Sequence, residues 1–282
     1  MSPKQNTNLW ITAACAAPLA HWAGIGWLAT ALAAAAAVPL CWLPGSVEHQ
    51  GKPLGIAQWL WTAAVLGSLV PAAGNYWTGG GKAVGLILLT LAALAGRTAQ
   101  RERSGNTLFW LLAPVGGLIL LLAAGKLEWI WLEPQAGKWP GELLCILLVP
   151  ALTGKEKKGT QGILAGLTAI GAAILIQGTL GHQTAAAASA PLYETGKALG
   201  PGGEILVSVG MTLSWYALAS LLFGKAMEFL REAGIPSGWA AAVTWAMSGA
   251  MVLLELKIPG TVLAAGSLIL WVILPLFRSM KK

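Results

Sequence analysis

The sequence predicts an all-α polytopic membrane protein of about ten transmembrane helices, one transmembrane domain over residues 1–282. Three observations predict it. The chain is 56% hydrophobic and only 10% charged, where a soluble domain carries roughly 25% charged residues. Its apolar residues come in long blocks separated by Gly, Pro and charged breaks. Its basic residues fall unequally on alternate breaks, as membrane topology requires.

The first block, Leu9 to Leu43, fixes the counting. As one helix its 35 residues would be about 52 Å long, too long for a hydrocarbon core of about 30 Å. Two short helices fit. Between them HWAGIGW supplies two glycines for a turn and two tryptophans for an interface, so His21 is expected at the bend, near headgroup depth. MSPKQNTN has only Lys4 as an n-region, and the apolar run continues past any cleavage site. It reads as a retained first segment, not a signal peptide.

The remaining segments run about 56–74, 79–96, 107–125, 140–153, 161–181, 205–224, 237–254 and 258–277. The sixth, PGELLCILLVPALTG, is short and holds Pro150, which suits a re-entrant piece or half of a discontinuous helix. With both termini cytoplasmic, thirteen Lys and Arg lie inside and five outside. The net charge of +7 is thus a topology signal, and no basic face with interleaved aromatics points to nucleic acid. Trp10, Trp22, Trp27, Trp42, Trp77, Trp129, Trp131, Trp139 and Trp239 fall at segment ends as an aromatic belt.

Chemistry is limited by what is missing. The chain has eleven Glu and no Asp, no HExxH, no GxSxG and no GxxxxGK[ST]. Cys15, Cys41 and Cys145 lie far apart in apolar stretches without metal spacing. The expectation is a protein that is not an enzyme and needs no cofactor or metal.

Binding is the remaining option. Cys15 to Pro18 and Cys145 to Pro150 hold matching places in the first and sixth segments, where broken helices would expose backbone to a ligand. Small residues there serve equally for close helix packing. In VSVGMTLSWY, Ser208 and Thr212 share a helix face, which suits either a ligand or bonds to the carbonyl one turn back. Glu142 opens the sixth segment, either complementing the helix dipole or acting as a proton-coupling or amine-contacting carboxylate near the outer mouth. Glu255, in the LELKIPG turn, is expected to be satisfied by solvent or Lys257. Residues 182–204 form a long outer loop, suited to a small amphipathic helix acting as a lid or lying as a plain surface helix.

A family similarity runs through several of these stretches. MSPKQ, GRTAQRERSGNTLFWLLAP, KLEWIWLEP, TLGHQTAAAASAPLYETGKAL and LSWYALASLLFGKAMEFLR together resemble the spore germination B-subunit (GerAB-type) family of the amino acid–polyamine–organocation transporter superfamily. The resemblance implies a LeuT-like 5+5 inverted repeat, with halves at about 8–125 and 140–277. It implies a ligand of the amino acid class, bound around Cys15, Ala16 and Ala17 facing Cys145, Ile146 and Leu147. Ser68, Ser208, Thr212 and Ser214 would complete a polar wall, with His21 and Glu142 as coupling candidates. It further implies the inner spore membrane as location and A-type and lipoprotein C-type receptor subunits as partners. An active proton-coupled permease and a structural partner with a vestigial site are the alternatives. The chain departs from the family in its length, its minimal sixth segment and its lack of Asp, which puts carboxylate-dependent sodium sites in doubt.

Overall fold

A computed structural model describes residues 14–16, 18–43, 52–77, 80–97, 125–132, 134, 141–152 and 158–280. Lys4, Trp10, Ala17, Trp139 and the expected fifth segment (all but residue 125) lie outside the described residues. Those described are helical, without strands. Among the described residues, four helices are long and apolar enough to cross a membrane: Lys52–Tyr76, Gly159–Leu180, Gly203–Glu232 and Gly260–Arg278. Trp27–Leu40, Gly81–Ala95 and Gly141–Leu152 are apolar but shorter. The chain is a helical membrane protein, and its apolar helices make the lipid bilayer its first partner.

The first apolar block is two helices. Helical residues up to Trp22 pass into a 3-10 turn, Ala23–Ile25, and a new helix begins at Trp27. Gly26 breaks the run with φ 128°, a conformation that side-chain-bearing residues rarely adopt. The backbone N–H of Trp27 is then met by the Gln177 carboxamide oxygen at 3.2 Å, so the new helix starts on a side chain from a distant segment.

Lys52–Leu69 tightens into a 3-10 segment, Val70–Tyr76, at Pro71. The short sixth segment consists of an α-helix, Gly141–Leu147, and a 3-10 turn, Val149–Leu152, buried everywhere except at Glu142. Burial inside protein is the condition under which irregular backbone survives at membrane depth. Its start is fixed by close backbone approach: a Cβ on Gly141 would overlap the Gly260 carbonyl.

The 30-residue helix Gly203–Glu232 packs against Lys52–Leu69, Gly81–Arg97 and Ser237–Leu253. Trp27–Leu40 packs against Lys158–Leu180 and Gly141–Leu147. Buried hydroxyls tie Ser237–Leu253 to Lys52–Leu69 within the first of these groups. Ser248 donates to the Ala63 carbonyl at 2.9 Å, and Trp59 Nε1 donates to Thr244 Oγ1 at 2.9 Å. The long loop expected on the outside carries two short helices, His182–Ala187 and Pro191–Leu199, where one was expected. Ala188 is extended between them, and Pro191 starts the second.

Candidate functional site

Among the described residues, the positions implied around the first and sixth segments are buried except Ala16. Cys15, Cys145 and Ile146 are fully buried and Leu147 nearly so, while Ala16 is half-buried. Cys41 joins the two segments: its thiol donates to the Leu147 carbonyl at 3.5 Å and lies near Cys15. Cys145 Sγ meets Ser267 Oγ at 3.1 Å. Ser214 donates to the Ala14 carbonyl at 3.4 Å.

The hydroxyl face of the eighth segment is likewise occupied. Ser208 Oγ lies 2.8 Å from the Glu204 carbonyl and 3.0 Å from the Tyr76 carbonyl, which share its one proton. Thr212 bonds back to the Ser208 carbonyl at 2.8 Å and accepts Trp77 Nε1 at 2.7 Å. Of the two roles open to this face, it fills the bond to the carbonyl one turn back and adds cross-segment contacts.

Space opens instead next to His21. A cavity of about 440 Å³ is lined by His21 and Trp22, by Ser68, Leu69 and Asn75, by Lys82 and by Glu142. The turn between the ninth and tenth segments closes it with Val252, Glu255, Lys257 and Ile258, and Leu263 follows. Three residues singled out in the sequence, His21, Ser68 and Glu142, thus share one cavity.

Each wall has an identifiable support. His21 Nδ1 is hydrogen-bonded to the Tyr76 hydroxyl at 3.0 Å, and its ring meets Trp22 and Trp215 edge-on. Trp22 and Trp215 also meet each other, with centroids 5.7 Å apart. The turn is tied down by Ser68 Oγ, which accepts the Ile258 N–H at 3.1 Å. At the rim Lys82 pairs with Glu255 at 2.8 Å. That partner is Lys82 where solvent or Lys257 was expected, because sequence distance hides the fold-back of the fourth segment. Lys82, followed by nearby Lys257, holds the Glu255 carboxyl below the usual carboxylate range.

Tyr76 and Trp215 were not singled out in the sequence. Trp215 stood inside VSVGMTLSWY, but its flanking hydroxyls drew the reading. Tyr76 follows the Pro71 turn, and nothing local marks it as a partner for His21. Among the belt tryptophans, Trp42, Trp129 and Trp239 are strongly exposed, whereas Trp22 turns inward to this cluster. No group of three or more His, Cys and Glu among the described residues could hold a metal ion.

The fold and site define a helical membrane protein with a cavity of mixed polar and apolar walls between its segments. Neither protein-family models nor curated proteins match the chain.

Proposed function

We propose that this chain is an integral membrane subunit of a spore germinant receptor that recognises an amino acid or similar small nutrient. The observation that carries this reading is the cavity joining His21, Ser68 and Glu142, because a bundle built only for packing has no need of one. The residues quoted above as resembling the germination B-subunit family supply the biological setting, including the inner spore membrane and A-type and lipoprotein C-type partners.

The reading includes a ten-segment 5+5 inverted repeat with both termini cytoplasmic, and the packing pattern supports it. In such a repeat every contact between two segments has a counterpart five segments along. The second and seventh segments pack together, as do the third and eighth and the fourth and ninth. The third also packs on the ninth, and its counterpart, the eighth on the fourth, is present. So are the second on the sixth and the end of the first on the seventh. The cavity walls also agree with the charge count, since His21, Asn75, Lys82, Glu142 and Glu255 all belong to ends it assigns to the outside.

A proton-coupled permease is the second reading, favoured by an imidazole and a carboxylate facing one cavity. A structural partner with a vestigial site is the third, favoured by the filled seam at Cys15 and Cys145. Counterflow of a labelled amino-acid mixture into liposomes carrying the purified protein separates them. Binding without exchange is the expected result for a receptor subunit. Exchange above empty liposomes would replace it with a permease, and neither binding nor exchange in folded protein would leave the vestigial partner.

A further inference from the structure

We propose that the outer cavity is an ammonium-recognition site in which the Glu142 carboxylate anchors the amine of a small ligand with an apolar body. This rests on the reading of the chain as a small-nutrient recogniser and specifies which end of the nutrient is held.

The carboxylates of the cavity have different fates. Glu255 is paired with Lys82, and Lys257 also lies close to it. Glu142 is half-buried on the cavity wall, and no hydrogen bond or ion pair from the described residues engages it. No ion pair from the described residues reaches this half-buried carboxylate, and a ligand ammonium would supply one. The first turn of Gly141–Leu147 explains why an acidic residue is tolerated there, but not why it borders an open space.

The surroundings suit the same ligand. Trp22 contributes an aromatic wall, held in place by its edge contacts with His21 and Trp215. An aromatic ring and a carboxylate lining one cavity are a favourable setting for an organic cation. Leu69, Val252 and Leu263 line the rest and fit an aliphatic body. Gly260 makes room for the carboxylate, since a Cβ at that position would overlap the Glu142 oxygens.

The test uses the purified full chain in detergent and reads its thermal midpoint with L-leucine, L-leucinamide or N-acetyl-L-leucine. Leucine and leucinamide are expected to raise the midpoint, and N-acetyl-leucine, which has no ammonium, is expected to leave it unchanged. Glu142→Gln should raise the concentration needed for a given shift by about tenfold or more, the scale of a charge-assisted hydrogen bond. Gly260→Ala should weaken binding in the same direction by displacing the carboxylate without removing its charge. A shift with N-acetyl-leucine equal to that with leucine would overturn the ammonium anchor and leave nutrient recognition standing. An undiminished shift in Glu142→Gln would do the same. No shift with any of the three compounds, in folded wild-type protein, would overturn both readings together.

Discussion

The seam between the first and sixth segments and the cavity beside it use similar raw material to opposite ends. In the seam, Cys15, Cys145, Ile146 and Leu147 are buried, and Cys41 and Ser267 occupy the neighbouring polar positions. In the cavity, Glu142 and His21 line open space, and from the described residues only His21 Nδ1 is hydrogen-bonded. Small and weakly polar residues at matching places thus mark where backbones pack. The chemistry lies one or two turns outward, where ionisable side chains meet. If so, changes in the seam should cost stability without touching ligand affinity, and changes in the cavity the reverse.

The largest effect is expected at the closest backbone approach. Gly141→Leu would drive a side chain into the Gly260 backbone and cost about 3 kcal/mol or more, seen as loss of monodisperse protein on size exclusion. Leu147→Ala should come next, leaving a void worth about 2–5 kcal/mol, with leucine affinity of the folded fraction unchanged. Altered affinity in this variant would blur the division between seam and cavity.

Glu142→Gln sharpens the contrast from the other side. Its unliganded melting midpoint should match wild type, while leucine binding weakens about tenfold, or about 1.4 kcal/mol. Thr212→Val removes the acceptor for Trp77 and should cost about 0.6 kcal/mol, the average for hydrogen bonds between membrane helices, read by the same melt.

The smallest effect belongs to the exposed Lys82–Glu255 pair. Glu255 has a folded pKa below its ordinary 4.5, so its contribution is complete above that value and fades as pH falls through the lowered one. Melts of wild type and Glu255→Gln should therefore differ slightly at neutral pH and converge in acid.

How much of this was legible beforehand follows from the range of each interaction. The split of Leu9–Leu43 at His21 was readable because helix length and glycine position are local properties, and Gly26 supplies the break. The segment limits were readable to within a few residues for Lys52–Tyr76 and Lys158–Leu180, which begin at a charge. The long helix runs to Glu232, well past the apolar block expected to end at 224, because Phe229 and Leu230 continue its buried face. His21 and Glu142 were visible as ionisable groups near segment ends, but their shared cavity depends on contacts more than a hundred residues apart. Tyr76, 55 residues from His21, and Trp215, much further along the chain, were unreadable as its partners because both contacts are made by folding and not by local pattern. The hydroxyls Ser208 and Thr212 showed the limit of counting polar atoms, since a helix supplies carbonyls that satisfy them.

The most direct test places a reporter in the cavity wall. Asn75 lines the cavity and is exposed, and the three native cysteines are buried, so wild type serves as the unlabelled control. Asn75→Cys in oriented membrane vesicles is treated with a membrane-impermeant maleimide, with and without L-leucine. The account predicts labelling from the outer face that leucine slows. Labelling from the opposite face, or labelling at the same rate with saturating leucine, would contradict it.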